Sequence, residues 1–229
     1  MRLVALLGKP VAESLSPRMQ NAAFAARGLD WVYVACEVDD VGAAIRGLQA
    51  LGFAGANVTI PHKEAAAALC DEADGDAVNT LVFADGRVVG HNTDREIVAG
   101  IEATRVCLIG AGGAARALEP ALPGEVRQFS RRGEWPPDAS GCDLVVNATP
   151  VRDELYVEPR PEQAVVDLAY RGDGRPTALV AAARAAGCRL VVDGAEALVR
   201  QGAASFELWT GVPAPAEVMR AAVGAPALA

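Results

Sequence analysis

Val106-Cys107-Leu108-Ile109-Gly110-Ala111-Gly112-Gly113-Ala114-Ala115-Arg116 passes from four apolar residues through a glycine cluster into a run of alanines. That order reads as a buried strand, a tight turn and the opening of a helix. Bare amides at such a turn can hold a pyrophosphate, and glycine is needed there because a Cβ would block close approach of the backbone. Glycine-rich turns also serve packing, so the context has to support the nucleotide reading. The following strand, Val126 to Phe129, ends in Ser130-Arg131-Arg132, about 20 residues on from the glycines. An acidic residue at that place favours a ribose 2′-hydroxyl, whereas two guanidiniums suit a 2′-phosphate. Solvated surface charge is the alternative for the arginines.

Strand-like runs continue at Asp143 to Asn147, Ala164 to Leu168 and Leu190 to Asp193, with helices expected over Ala114 to Leu122, strained by Pro120, and Thr177 to Ala186. The interval Gly133 to Gly141 carries Pro136-Pro137 and no apolar periodicity, so the usual crossover helix is lost there. Towards the N-terminus, strands are expected at Arg2 to Leu7, Trp31 to Glu37 and Gly55 to Ile60. Helices are expected at Pro17 to Arg27, with Ser16 as N-cap, at Val41 to Leu51, with Leu51 on the apolar face, and at Glu64 to Leu69. Ala77 to Phe83 and Arg87 to Gly90 form a hairpin that turns at Asp85-Gly86. Glu196 to Trp209 is a helix that returns to the first domain. Strand and helix alternation of this kind gives an α/β fold. A mostly parallel N-terminal α/β domain (1–100 with 196–229) is expected beside a compact, shortened Rossmann-like dinucleotide-binding domain (101–195).

The 229 residues suffice for two small cores. Hydrophobic residues make up 52% but aromatics only 5%, which suits helices packed closely on a parallel sheet. A net charge of −8 argues against nucleic acid as a partner. Cys36, Cys70, Cys107, Cys142 and Cys188 form no Cys-x-x-Cys pair and read as reduced thiols, and His62 and His91 stand in no ligand-spaced cluster, so no metal is expected. Met1 to Leu7 is too brief for a signal core or a membrane span, and the expected location is the cytoplasm.

A second group of residues carries chemistry. Lys63 follows Asn57-Val58-Thr59-Ile60-Pro61-His62, and Asp94 follows Asn92-Thr93. A lysine beside an aspartate can relay a proton to a substrate hydroxyl while hydride moves to or from a nicotinamide. An isolated Lys and Asp is more commonly a surface ion pair, and the flanking polar residues shift the balance. Ser14 and Ser16 lie beside a helix start, where a carboxylate is favoured, and Thr59, Asn79 and Asn92 can bond hydroxyls, although capping and turn roles are open to all of them. Together these residues read as a site for a small polyhydroxylated acid facing a dinucleotide.

From Gly8 to Gly211 the chain resembles the shikimate dehydrogenase family. Gly8-Lys-Pro-Val-Ala-Glu-Ser-Leu-Ser-Pro17 is similar to its carboxylate-binding opening, Asn57 to Lys63 to its lysine motif, and Ala77 to Thr80 and Gly90 to Asp94 to its substrate loops. Gly110 to Arg116, Asn147 to Pro150, Asp167 to Tyr170, and Gln201 with Phe206 to Gly211 complete the order. The resemblance implies NADP-dependent interconversion of 3-dehydroshikimate and shikimate in aromatic amino acid (chorismate) biosynthesis, by a monomer or homodimer. It implies Lys63 and Asp94 as the catalytic pair, with Ser14, Ser16, Thr59, Asn79, Asn92, Tyr170 and Gln201 on substrate. Gly110, Ala111, Gly112, Gly113, Ala114, Ser130, Arg131, Arg132, Leu168 and Gly194 are implied to line the cofactor. Glu13, Gln20, Asp76, Arg95, Arg152-Asp153 and Ala197 depart from the family pattern, mostly on the cofactor side. A relative acting on quinate or another cyclohexene carboxylate, with NAD, and a substrate-binding protein that has lost hydride transfer remain as alternative readings.

Overall fold

Apolar side chains alternate along the strands between two helical layers, and that pattern builds both halves of the chain. The computed structural model describes residues 1–225; the Ala- and Pro-rich composition after Val223 predicts a frayed end, and its residues 226–229 lie outside the described residues. The chain divides into two units, Met1–Glu96 with the segment from Val199 onward, and Ile97–Leu198.

The first unit runs β1 (Arg2–Gly8), α1 (Ser16–Ala26), β2 (Trp31–Glu37), α2 (Val41–Ala50), β3 (Gly55–Val58), α3 (Lys63–Ala67), β4 (Glu72–Ala73), β5 (Thr80–Ala84) and β6 (Arg87–His91). Its sheet has the order β2-β1-β3-β5-β6-β4. β1 is parallel to both β2 and β3, while β5 is antiparallel to β3 and to β6. Asp85 and Gly86 join β5 to β6 with φ of 53° and 77°, the left-handed pair a tight hairpin requires. Ala5, Leu7, Ala56, Val58 and Leu81 bury one face beneath Val41, Ile45 and Leu48 of α2. On α1, Phe24 stacks on Phe206 at 5.4 Å between ring centroids.

Two helix ends differ from expectation. Ser16 is the first residue of α1 rather than its cap: Leu15 holds the N-cap position without a side-chain cap, and Ser14 Oγ accepts the Ser16 N–H at 3.3 Å. The chain already turns at Val11–Ser14, where Ser14 N–H bonds Val11 O at 3.1 Å, so Ser16 enters the helix with its side chain buried. Leu51 is not on the apolar face of α2 but follows its last turn and is 74% exposed. Asp40 caps that helix by accepting the Ala43 N–H at 2.9 Å.

The second unit runs β7 (Arg105–Ile109), α4 (Gly113–Leu118), β8 (Glu125–Phe129), β9 (Leu144–Asn147), β10 (Ala164–Asp167), α5 (Ala178–Ala185) and β11 (Leu190–Val192). α6 (Gly194–Thr210) begins here and enters the first unit at Val199, and α7 (Ala216–Val223) then packs on α1. All five strands are parallel, in the order β11-β10-β9-β7-β8. Val106 and Leu108 of β7 face one core with Ala115 and Leu118, whereas Cys107 and Ile109 face another with Leu179 and Ala183. α4 stops at Leu118, earlier than Leu122, because Pro120 has no N–H to continue the ladder; a 3-10 turn follows over Glu119–Ala121. No helix joins β8 to β9, and Ala139 and Cys142 of the connecting coil fill that face. No helix among the described residues is long and apolar enough to cross a membrane.

Candidate active site

Lys63 opens α3 directly after the loop that leaves β3, and Asp94 lies in a 3-10 turn shortly after β6 ends. Lys63 Nζ donates to Asp94 Oδ2, with side chains only 14% and 12% exposed. Asp94 Oδ1 accepts from Asn79 Nδ2 at 2.8 Å, and the Asp94 N–H bonds Asn92 Oδ1 at 3.1 Å. The carboxylate is therefore held on one oxygen by an amide while the other meets the ammonium. Asn79 Nδ2 also reaches Gln201 Oε1 on α6 at 3.3 Å.

Beneath this pair lies a polar layer that the strands and α6 build together. Asn79 Oδ1 accepts from the N–H and hydroxyl of Thr93 at 2.8 and 3.0 Å and from Thr80 Oγ1 at 3.1 Å. Ser205 Oγ lies 2.8 Å from Thr80 Oγ1 and 3.2 Å from Thr93 Oγ1. Asn57 Nδ2 donates to Asn79 O, Thr80 Oγ1 and Ser205 Oγ at 2.9, 3.0 and 3.1 Å, while its Oδ1 accepts from the Tyr33 hydroxyl at 2.8 Å. Burial drives the Tyr33 phenol well above its ordinary range, against the opposing effect of Ser16, so the hydroxyl stays a donor. A buried network satisfied to this degree fixes the rotamers of the groups above it. Ser14 and Ser16 lie at the start of α1, and Thr59 lies half-buried past β3, its N–H on Leu7 O at 2.8 Å.

In the second unit the strand order reverses direction at β7 and β9, the switch point where open α/β sheets bind ligands beyond the strands' carboxyl ends. A groove of about 450 Å³ lies there, lined by Gly110–Gly112, Ser130–Arg132, Trp135, Thr149–Val151 and Tyr156. Gly110 has φ of 121°, and a Cβ on it would stand 3.0 Å from Ala148 O. At Gly112 and Gly113 a Cβ would meet open space, so the backbone there is free to be approached. This chain thus presents the bare-amide cradle that a dinucleotide pyrophosphate needs. Asn147 orders the rim: its Oδ1 accepts from Thr149 N and Oγ1 at 3.1 and 2.7 Å, and its Nδ2 donates to Asp167 Oδ1 at 2.8 Å. Burial raises the Asp167 carboxyl above its usual range, with Thr177, Ala169 and Asn147 donating against that effect.

Residues 6–81 match the family model described as shikimate dehydrogenase substrate binding domain, and residues 194–223 match shikimate 5′-dehydrogenase C-terminal domain. A shikimate dehydrogenase (NADP(+)) of Pyrococcus abyssi is 37% identical, covering 96% of each chain. The chain belongs to the shikimate dehydrogenase family. A second shikimate dehydrogenase (NADP(+)), of Moorella thermoacetica, is 41% identical over 97% of this chain and 94% of its own. The crystal structure of the Thermus thermophilus family member in complex with NADP(H) and shikimate superposes with a TM-score of 0.85 at 32% identity, covering 98% of this chain and 99% of that one. The alignment to the Pyrococcus protein spans 257 positions, more than the 229 residues here, so that family member carries segments this chain lacks.

Within this family member, Lys63, Asp94, Asn79, Asn92 and Gln201 come together in the first unit. Gly110, Ala111, Gly112, Ser130, Arg131 and Arg132 share the groove of the second. Gly113 and Ala114 start α4 and are not among the residues lining that groove, Leu168 and Tyr170 follow β10, and Gly194 starts α6. Thr80 and Thr93 belong to the substrate-loop motifs and turn inward onto Asn79, whereas Tyr33 and Ser205 reach Asn57 from β2 and α6, outside any motif. Spacing offered one signal: Gln201 and Ser205 are four apart on α6, and Ser205 Oγ bonds Gln201 O at 3.1 Å. Trp135 and Tyr156 line the groove from stretches that carry no motif.

Proposed function

We propose that this chain catalyses the NADPH-dependent, reversible reduction of 3-dehydroshikimate to shikimate, as a cytoplasmic enzyme of aromatic amino acid biosynthesis. The enclosed Lys63–Asp94 pair, held by Asn79, carries the reading, because a protein that only binds the acid needs no proton donor. Reduction of the ketone requires a proton on the oxygen as it becomes a hydroxyl. Lys63 Nζ supplies it; Asp94 directs the ammonium, and Asn79 keeps Asp94 from turning. When bound, the reduced cofactor supplies the hydride. Gly110–Gly112 would hold its pyrophosphate and Arg131 with Arg132 its 2′-phosphate. Ser14 and Ser16 receive the substrate carboxylate, and Thr59, Asn79, Asn92, Tyr170 and Gln201 its hydroxyls. Gly113, Ala114, Leu168 and Gly194 are assigned to the cofactor side. Apart from Tyr170, the residues assigned to substrate fall in 1–100 with 196–229, and those assigned to the cofactor fall in 101–195.

Isothermal calorimetry of shikimate with wild type and Lys63→Ala tests the division of roles. Comparable binding with turnover lost in the variant supports it, and turnover retained by Lys63→Ala contradicts it.

A further inference from the structure

The segment between β8 and β9 contains no helix, yet it does not leave the groove bare. Ser130 N–H bonds Glu134 O at 3.1 Å and Gly133 N–H bonds Ser130 O at 2.9 Å, so the chain folds back at once and returns Trp135 alongside Arg131. Tyr156 arrives from the loop before β10, and the two rings meet edge to face with centroids 4.9 Å apart. The Arg131 guanidinium lies 5.8 Å from the Trp135 centroid and 5.9 Å from that of Tyr156. Its Nη2 donates to the Tyr156 hydroxyl at 2.9 Å, and Glu154 Oε2 stands 3.5 Å away. Arg131, Trp135 and Tyr156 all line one groove with Gly110–Gly112.

We propose that Trp135 and Tyr156 are positioning residues that hold Arg131 for a 2′-phosphorylated adenosine. The inference rests on the NADP reading above and extends it to residues outside the glycine fingerprint. A solvent-exposed arginine samples many rotamers, and the freedom lost on binding weakens affinity. Two aromatic faces and a hydroxyl remove that freedom beforehand, because a guanidinium stacks on rings while its edge remains free to donate. Glu154 is the counter-charge of the free groove, which an incoming phosphate displaces.

The test is calorimetric titration of the full-length protein with adenosine 2′,5′-bisphosphate and with 5′-AMP, which differ only at the 2′ position. Arg131→Ala is expected to weaken the bisphosphate by roughly tenfold or more, as for a charged hydrogen bond. Tyr156→Phe, which keeps the ring and removes the hydroxyl, is expected to weaken it about fivefold. In both variants 5′-AMP should stay within about twofold of wild type. Glu154→Gln is expected to strengthen the bisphosphate alone. Equal weakening of both nucleotides by Tyr156→Phe, or no effect of it beside a selective Arg131→Ala, overturns the positioning role and leaves the NADP reading standing. A wild-type protein that does not prefer the bisphosphate, or an Arg131→Ala variant without selective loss, overturns both.

Discussion

Asn79→Ala removes the hub on which the Lys63–Asp94 pair rests. Its side chain is 3% exposed, so the groups left behind have no ready access to water. The Thr93 N–H loses its 2.8 Å acceptor, which costs about 1–3 kcal/mol for an orphaned buried donor. The Thr80 and Thr93 hydroxyls lose less, because each can turn to Ser205 Oγ at 2.8 and 3.2 Å. Asp94 Oδ1 loses an amide donor at 2.8 Å, a buried charge-assisted bond of about 1.5–3 kcal/mol. Taken at the lower end of each range the sum is about 3 kcal/mol, which for a chain of this size lowers the melting temperature by about 6 °C. Because Asp94 is then free to rotate away from Lys63, turnover should fall by at least about tenfold while shikimate affinity changes less. Differential scanning calorimetry beside steady-state kinetics measures both. A variant that melts within about 2 °C of wild type and turns over normally refutes the claim that this amide organises the pair.

Other expectations follow from single positions. Lys63→Ala should lower turnover by at least about a hundredfold while shikimate binding stays within a few-fold, since proton transfer belongs to the transition state; matched losses in kcat and affinity would count against the proton-donor role. Gly110→Ala places a side chain at φ of 121° and 3.0 Å from Ala148 O, and should destabilise the protein by about 2 kcal/mol in a denaturant melt. Gly112→Ala, facing open space, should leave the melt unchanged and weaken NADPH; the opposite ranking would reject the cradle. Asp143 is buried enough to push its carboxyl up, but the N–H groups of Thr104 and Arg105 and the Thr104 hydroxyl outweigh this and hold it at about 2. Its folded value lies below the unfolded one, so the ionised form adds stability that is complete above about pH 4 and is lost as pH falls towards 2. After discounting for solvent screening the contribution is about 1 kcal/mol. Acid titration of the melting temperature should show a shallower drop for Asp143→Asn, and identical slopes would contradict the assignment.

The parallel strands were readable because their apolar runs bury both faces: Val106 and Leu108 enter one core, Cys107 and Ile109 the other. The hairpin was readable from Asp85-Gly86 for a local reason, the left-handed φ that both residues accept. Local signals were weaker where tertiary contacts decide. Ser16 looks like a cap by type and by its place before Pro17, yet the turn at Val11–Ser14 draws it into the first helical turn. β4 is held by pairing with β6, and α7 by burial of Met219 and packing on α1, partners that lie elsewhere in the chain. Of the candidate site, Lys63, Asp94 and Asn79 stand in motifs with their own spacing. Tyr33 and Ser205 come from β2 and α6, so only the fold shows that they meet Asn57.

The most direct test of the central claim is the change in nicotinamide absorbance when the protein meets 3-dehydroshikimate with NADPH, run beside NADH and, in the reverse direction, quinate with NADP+. Turnover that prefers NADPH and 3-dehydroshikimate is the predicted result. Folded protein that binds shikimate yet turns over no pair would contradict it, and would make the chain a binding relative without its redox half.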